Sequence, residues 1–320
     1  MTLKLFEKIR RHASVASGNF AQIFEGAEIP PLPAAIAQLV VEVGRDEPDF
    51  KKIGKMVAAT PDIAVKVLKT VNSAFYSLPN PVNSILHALT VLGLANIRPL
   101  ILSFALKSSL PALPGNLFHQ NAFWSDSLIR ALLARSFADR HCRAEREEAF
   151  TTMLLADVAL PVLLSSWGEY YQKVTQEWME QPKHLSELER LNFQWDHAQA
   201  GAWILQNWEF PVELVCFVGL HNTGLEKLEE LELTASVALP VVVAAQAPSS
   251  LKPDQGRAEQ LVTMAMEQFG YSDEEMLELL EGVRIGFNEV SDLFELSPSS
   301  GDAILDLLEQ CLTPEEPQDG

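Results

Sequence analysis

The sequence predicts an all-α protein, and two observations carry that prediction. Apolar residues recur at intervals of three and four, as in Ile63, Val67 and Val71, and this spacing places them on one face of a helix. No stretch alternates apolar and polar residues at strand length between turn signals, and no repeat occurs at a fixed period. With 320 residues, 48% of them hydrophobic, the chain is long and apolar enough to form two or three packed units.

The first predicted helices lie in the N-terminal third of the chain. Asp49 is placed to cap the segment "FKKIGKMVAA", and Pro61 separates that helix from the one containing Val67. A proline-rich loop follows. The next helix is predicted to run from about Ser84 to Gly93.

Longer helices are predicted over the rest of the chain. They cover about residues 118–142, 145–165, 196–208, 226–246, 255–270, 273–294 and 302–312. The prolines and the glycine of "SSLPALPGNLFHQ" mark the best boundary between two lobes. We therefore expect one lobe over residues 29–111 and a second over residues 116–222.

The segment "VNSAFYSLPNP" is expected to be structurally essential. Asn72 and Ser73 stand where a helix is predicted to end, and their short polar side chains can bond the unpaired backbone groups there. Phe75 and Tyr76 are then expected to enter the core. Replacing a fully buried Phe75 by alanine would cost about 3–5 kcal/mol.

The net charge of −19 is unevenly distributed along the chain. Residues 1–111 carry 12 Lys or Arg against 8 Asp or Glu, whereas residues 272–320 carry Arg284 against 14 acids. An acidic field of this kind repels phosphate backbones, so the composition disfavours a nucleic-acid partner. We expect the acidic C-terminal residues to form solvated helix faces.

The cysteines and the lack of a signal sequence predict where the protein resides. Cys142, Cys216 and Cys311 lie far apart and form no CxxC pair. This pattern indicates a reducing cytoplasm and argues against a disulfide framework or a cysteine metal site. No secretory signal and no convincing bilayer span is visible, so we expect a cytoplasmic protein.

The first two thirds of the chain resemble the HDOD family, the HD-related output domains of bacterial signalling proteins. The resemblance rests on "PPLP", "TPDIAVKVLKTVNSAFY", "NSILHAL" and "VLG", and then on "NAFWSDSLIRALLA", "EAFTTMLLADVALPVLL" and "WDHAQAGAWILQNWEFPVELVCFVGLHN". It implies an all-α, two-lobed HD-like fold over residues 29–222, preceded by a helical extension at residues 1–28. Residues 223–320 are expected to be acidic helices that pack on the second lobe.

The resemblance also implies the remains of a metal centre. HDOD domains look like relatives of the HD phosphohydrolases, whose centre combines a His-Asp doublet with further His or Asp ligands. In this chain the doublet position reads Ala156-Asp157, so its imidazole is missing. The donors that remain are Asp126, Asp157, His197 and His221, with Asn222 beside the last. We expect these four donors to converge on one pocket that is hydrolytically silent.

Each of these residues also has a purely structural interpretation. Asp126 can cap the helix that follows it, and Asp157 can accept hydrogen bonds from nearby amides or from a buried imidazole. His197 can be a first-turn residue behind an Asp196 cap, and His221 can stabilise a helix C-terminus. We therefore expect no cofactor, and if a divalent metal ion binds, we expect these same donors to hold it.

The resemblance implies a non-catalytic module of bacterial signal transduction that acts through protein partners. Since no such partner domain is fused within these residues, receiver, kinase or cyclic-dinucleotide proteins would be met in trans. The alternative is a residual metal-dependent phosphohydrolase that acts on a nucleotide or a cyclic dinucleotide. The alanine at position 156 disfavours it, and no nucleotide-binding or zincin signature occurs elsewhere in the sequence.

Overall fold

The computed structural model describes residues 31–45, 47–73, 76, 78–110, 119–166 and 168–313, without the side chains of Ser166 and Tyr170. The helices are α1 Ala34–Val43, α2 Phe50–Ala58, α3 Pro61–Val71, α4 Ile85–Leu92, α5 Leu94–Ser109, α6 Gln120–His141, α7 Arg146–Leu154, α8 Ala159–Ser166, α9 Gly168–Glu180, α10 Leu185–Phe193, α11 His197–Asn207, α12 Val212–Leu220, α13 Leu225–Glu230, α14 Ala238–Ala244, α15 Gln255–Phe269, α16 Asp273–Val290 and α17 Asp302–Leu312. Short 3-10 helices lie at Arg143–Glu145, Ser291–Phe294 and Pro298–Gly301. No strand occurs in the described ranges, and the all-α prediction is confirmed.

Local capping signals position several helices where the sequence predicts them. The Asp49 side chain accepts hydrogen bonds from the amides of Lys51 and Lys52 at the start of α2. The Ser84 hydroxyl accepts one from the amide of His87 at the start of α4. These bonds satisfy backbone donors that have no partner within the first helical turn. Helices α9 and α10 are not among the predicted elements.

Two helices predicted as continuous are each interrupted shortly before a proline. The predicted helix over residues 145–165 is split by a turn, and so is the one over residues 226–246. Pro161 and Pro240 are each the third residue of the helix that follows the break. A proline clashes with the carbonyl four residues earlier, so it is tolerated in a first turn but not in a helix interior.

The described residues group into two compact units that do not follow the predicted order of lobes. Residues before 120 and residues 154–222 form the first unit, and residues 120–153 with those from 223 onward form the second. The predicted second lobe is therefore divided between the units. Residues 1–28 and the predicted boundary at 111–115 lie outside the described residues.

The second unit is built around α6. Its buried residues run almost continuously from Phe123 to Ala134, so they cover every side of the helix. The later helices α14, α15 and α16 pack on it. This explains why the C-terminal helices fold back onto a helix that lies about a hundred residues earlier in the chain.

Asn72 ties the end of α3 to the loop before α4. Its Nδ2 atom donates to the carbonyl oxygens of Leu68 at 2.9 Å and Val82 at 2.8 Å, and its Oδ1 atom accepts from the amide of Val82 at 2.6 Å. The neighbouring Ser73 hydroxyl donates to the carbonyl of Thr70 at 2.8 Å. Both side chains thus satisfy backbone groups at a helix end, which is the role that the sequence suggests for them.

The aromatic half of the same segment is only partly described. Tyr76 is half-buried, and its hydroxyl lies 3.5 Å from the carbonyl oxygen of Asn96, to which it donates a weak hydrogen bond. Phe75 lies outside the described residues, so the expected cost of its replacement stays a prediction.

Replacing Asn72 by alanine is expected to lower the free energy of unfolding by about 1–3 kcal/mol, because the amide and carbonyl of Val82 lose their partner. Urea denaturation measures this change. Asn80→Ala is the matched control, since Asn80 is exposed in the same loop and its loss should stay within about 0.5 kcal/mol. Equal urea midpoints for the two variants would contradict the proposed role of Asn72.

Candidate metal centre

Three polar side chains from separate segments meet in the interior of the first unit. Asp157, His197 and His221 are only 4%, 6% and 1% exposed. Asp157 Oδ1 lies 3.2 Å from His197 Nε2 and 3.4 Å from His221 Nε2, and the two Nε2 atoms are 3.3 Å apart. The three donor atoms therefore occupy the corners of a nearly equilateral triangle.

Asp157 lies in the turn that separates α7 from α8. A helix continuing through this residue would bring its carbonyl against the ring of Pro161, which is four residues ahead. The turn avoids that clash, and the Asp157 carbonyl accepts a hydrogen bond from the amide of Leu160 at 2.9 Å. The preceding residue, Ala156, is fully buried and brings only a methyl group to the position of the missing imidazole.

His197 is the first residue of α11, directly after the cap that the sequence predicts. The Asp196 side chain accepts from the amide of Gln199 at 3.0 Å, and the Gln199 side chain bonds the amide of Asp196 in return. This capping box fixes the start of the helix. The His197 ring nevertheless reaches Asp157, so its structural position and its place in the cluster are compatible.

Gly201 allows α11 and α12 to pack closely enough for the two imidazoles to meet. A Cβ atom on this residue would lie 3.3 Å from the Val218 side chain and 3.5 Å from the Val158 side chain. The 3.3 Å contact is tighter than normal packing, so the Val218 side chain would have to shift, whereas 3.5 Å is an ordinary contact. A larger residue here would push apart the helix of His197 and the helix that ends at His221.

The His221 ring is fixed by a backbone contact at the C-terminus of α12. Its Nδ1 atom donates to the carbonyl oxygen of Val218 at 2.7 Å. Because a carbonyl oxygen can only accept, the hydrogen resides on Nδ1, and in the neutral ring Nε2 is an acceptor. The Nε2 atom faces Asp157 and His197.

A second carboxylate, Glu189, holds the opposite side of the His197 ring. Its Oε2 atom accepts from the His197 amide at 2.8 Å and lies 2.6 Å from Nδ1 of the same residue, while its Oε1 atom accepts from the Tyr171 hydroxyl at 3.0 Å. Burial alone would lower the pKa of His197, but the Glu189 carboxylate and the contact with Asp157 outweigh it and raise that pKa well above its usual value. His197 thus has a carboxylate on each ring nitrogen.

Sequence reasoning missed Glu189 and Tyr171. A signal for Glu189 was present: within "LSELERLNF" it lies four residues after Leu185 and next to Leu188, so it shares the apolar face of α10. A carboxylate on such a face requires a buried partner.

Asn222 lies beside the centre, as its position in the sequence suggests. Its Nδ2 atom is 2.9 Å from Nε2 of His197. The side-chain amide therefore fills space next to the three donor atoms without belonging to the usual ligand types of a first-row metal.

Asp126 is not part of this cluster, which corrects the expectation of four converging donors. It belongs to the second unit, where its carboxylate accepts from the Ser249 hydroxyl at 2.6 Å and from the Ser250 amide at 3.1 Å. It does not cap a helix either, because it lies inside α6. Its partners are more than 120 residues away in sequence, so no local pattern predicts them.

Asp126 predicts a pH dependence of stability. Burial raises the pKa of this carboxyl above its ordinary value. The folded protein then retains a proton that the unfolded chain has released, so the carboxyl's contribution to stability falls as the pH rises from about 4 through the raised pKa. Urea denaturation of the wild-type protein and of Asp126→Asn between about pH 4 and 7 measures this. The wild-type protein should lose stability relative to the variant as the pH rises, and a difference independent of pH would contradict the prediction.

The three clustered donors fit a single metal ion. A first-row ion with bonds of about 2.0–2.2 Å in tetrahedral geometry separates its donors by about 3.3–3.6 Å, close to the edges of the observed triangle. Two imidazole nitrogens and one carboxylate form a common ligand set that leaves a position open. When bound, such an ion polarises a ligand oxygen. Elsewhere in the described chain no other group of three or more His, Cys, Asp or Glu side chains could share an ion.

Comparison with known families agrees with these observations. The HDOD domain family matches residues 29–223, more than half of the chain and all of the three-donor cluster. The chain belongs to the HDOD family. No protein of curated function matches it. HDOD domains are related to HD phosphohydrolases, in keeping with the donor types found here.

Solved structures share the fold of this HDOD protein. An HDOD domain protein of unknown function from Geobacter sulfurreducens is 18% identical with a TM-score of 0.65, covering 90% of this chain and 99% of its own. A candidate phosphohydrolase from Shewanella amazonensis SB2B is 20% identical with a TM-score of 0.62, covering 91% and 99%. A candidate signal transduction protein from Marinobacter aquaeolei VT8 is 17% identical with a TM-score of 0.55, covering 94% and 66%. At these identities the similarity shows the fold alone.

One described segment, Arg143–Ser165, is long and apolar enough to cross a membrane by composition. Its apolar window is 89% buried inside the protein, and the turn at Leu155–Val158 interrupts it. The apolar character is therefore that of core helices and is weak evidence for a membrane span.

Proposed function

We propose that this HDOD protein is a non-catalytic signalling module that acts through protein partners. The observation that carries the proposal is the fully buried Ala156 at the doublet position. Without that imidazole the cluster offers three donors, whereas a two-ion hydrolytic centre needs more donors and a bridging group.

The charge around the cluster also supports a centre that does not process phosphate esters. Asp157 and Glu189 are both almost completely buried and both contact His197. An anionic phosphate group brought to this centre would meet two carboxylates in a low-dielectric interior, which is unfavourable unless cations outnumber them.

We further propose that the module works in the cytoplasm and meets its partners in trans. Cys142, Cys216 and Cys311 are free thiols, and burial raises the pKa of Cys216 to about 12, which keeps it unreactive. A structural neighbour carries the description of a signal transduction protein, which supports a partner among signalling proteins such as receivers, kinases or cyclic-dinucleotide proteins.

The second candidate function is a phosphohydrolase that uses one metal ion. The observation in its favour is the triangle of donor atoms with edges of 3.2–3.4 Å, which suits one first-row ion. The geometry supplies the donors. The reaction also requires the ion, a bound water and an accessible path for the substrate.

Hydrolysis assays on protein purified without chelators distinguish the two candidates. We expect no hydrolysis of a phosphodiester, a nucleotide or a cyclic dinucleotide, with or without added manganese. Asp157→Ala removes a donor, and Asp62→Ala is its matched control because Asp62 is exposed on the first unit. Hydrolysis that Asp157→Ala abolishes and Asp62→Ala preserves would establish the phosphohydrolase instead.

The partner half of the proposal needs its own measurement. Crosslinking in the native host should capture a signalling protein, and the two purified proteins should then form a complex of defined stoichiometry. Failure to reconstitute a complex with any captured protein contradicts the proposal.

A further inference from the structure

A buried chain of hydrogen bonds extends from the three-donor cluster into the helices beside it. It runs from the Tyr171 hydroxyl in α9 to Glu189 in α10 and then to His197 at the start of α11. Tyr171 and Glu189 are both completely buried, at 0% exposure. Neither residue belongs to the set of donors that could contact a shared ion.

The location of Glu189 requires a specific explanation. An ionised carboxylate without exposure is costly unless its oxygens are paired. Its neighbour Arg190 does not pair with it, because the guanidinium bonds Asp196 at 2.6 Å. The hydrogen bonds of Glu189 go instead to the Tyr171 hydroxyl and to His197. The free-energy cost of burying this carboxylate is therefore offset by its bonds to Tyr171 and His197.

The contacts of Glu189 fix the ring in one orientation. The same oxygen, Oε2, is bonded by the backbone amide and approached by Nδ1 of His197, so it anchors both the start of α11 and one edge of the imidazole. A carboxylate accepts, so the contact requires the hydrogen on Nδ1. The opposite edge, Nε2, is then directed at Asp157 and His221.

The two imidazoles of the cluster are held by the same principle with different acceptors. His221 donates from Nδ1 to a neutral carbonyl, and His197 donates from Nδ1 to an anionic carboxylate. A hydrogen bond from the remote nitrogen to a carboxylate fixes the tautomer and increases the basicity of the nitrogen that binds a metal. Of the two rings, His197 is thus the one whose Nε2 atom is better oriented and activated to bind a metal ion.

We propose that Glu189, supported by Tyr171, is a positioning residue that presents His197 Nε2 to a divalent ion held by Asp157, His197 and His221. The proposal concerns the centre discussed under the proposed function but does not require catalysis, because a single bound ion is compatible with a hydrolytically silent module. Tyr171 acts one step further out. Its hydroxyl orients Glu189 by donating to the oxygen that His197 does not use.

The test is zinc binding by the metal-stripped 320-residue chain, measured by competition with a chromophoric chelator. We expect the wild-type chain to bind one zinc ion and Glu189→Gln to bind it about 10–100-fold more weakly. Tyr171→Phe removes one hydrogen bond to Glu189 and should weaken binding by about 3- to 10-fold. Glu187→Gln is the matched control, since Glu187 is exposed on the same helix and should leave zinc affinity unchanged.

A second readout does not depend on a bound metal. In the metal-free wild-type protein, nuclear magnetic resonance should detect a strongly hydrogen-bonded ring proton on Nδ1 of His197. The signal should be lost or shifted in Glu189→Gln and retained in Glu187→Gln. If Glu189→Gln does not fold by circular dichroism, Tyr171→Phe decides through the same two measurements.

Three outcomes would overturn the proposal: no zinc uptake by the wild-type protein, unchanged affinity in the folded Glu189 and Tyr171 variants, or an unchanged Nδ1 proton signal. Detection of hydrolysis by the wild-type protein would overturn the proposed function and leave this proposal standing. Failure of the two proposals can therefore be told apart.

Discussion

Replacement of Asp157 by alanine is expected to lower the free energy of unfolding of the metal-free protein by about 3 kcal/mol. Breaking a buried charged pair by removing one partner costs about 3–5 kcal/mol. The lower end applies here, because Glu189 remains to neutralise His197 after Asp157 is removed. The Nε2 atom of His197 would lose the carboxylate oxygen that lies 3.2 Å from it.

Chemical denaturation by urea, monitored by circular dichroism, measures this loss. Asp157→Asn keeps the shape and one acceptor oxygen, so it should cost less than the alanine variant. Asp62→Ala, at an exposed position of the first unit, should stay within about 0.5 kcal/mol of the wild-type protein. A wild-type midpoint for Asp157→Ala would mean that the cluster does not stabilise the fold.

The same variant separates a structural role from a catalytic one. Under the proposed function, Asp157→Ala loses stability and has no hydrolytic activity to lose. A residue kept only for catalysis shows the reverse pattern, because active sites often sacrifice stability for function and their removal can stabilise a protein. The sign of the stability change therefore bears on the function of the cluster.

The sequence predicted those features of the site that depend on nearby residues. The cap at Asp196 and the start of α11 depend only on the four consecutive residues from Asp196 to Gln199. The family resemblance supplied Asp157, His197 and His221. The resemblance also supplied Asp126, which the structure places in another environment. A motif position states which residue type occurs, whereas the partner of a buried carboxylate depends on contacts far away in the chain.

The features that the sequence analysis missed have identifiable physical causes. The break before Pro161 has a local cause, because proline in a helix clashes with the carbonyl four residues earlier. The continuous apolar run on both sides of the break predicts a single helix instead. The role of Glu189 was harder to predict, since α9 and α10 were not predicted as helices. Without those helices, the sequence contains no signal that predicts the Glu189 carboxylate beside His197.

The division into units was not predictable from the positions of loops. Prolines and glycines mark where the chain can turn, but they do not say which helices pack together afterwards. The C-terminal helices group with α6, whose buried residues run almost continuously from Phe123 to Ala134 and include polar ones such as Asp126.

Phe137 tests how strongly the C-terminal helices depend on α6. The ring is completely buried and stacks on Phe269 of α15, with ring centroids 5.1 Å apart and planes 19° from parallel. Replacing Phe137 by alanine is expected to cost about 3–5 kcal/mol, through lost burial and the cavity that remains. Urea denaturation measures the change. Phe137→Leu keeps most of the volume, so its own cost should be clearly smaller, at about 1.5 kcal/mol.

The loss at Phe137 should be visible as a local opening before the whole protein unfolds. Because Phe137 and Phe269 join α6 to α15, the alanine variant is expected to become sensitive to limited proteolysis within residues 223–313 at protease concentrations that leave the wild-type chain intact. Ile285→Ala is the control, since Ile285 is 51% exposed on α16 and contributes little to the same core. Equal cleavage of both variants would show that the C-terminal helices do not depend on this contact. Cleavage specific to Phe137→Ala would show that residues 120–153 and the C-terminal third form one cooperative structure, which no division of the chain into consecutive lobes would produce.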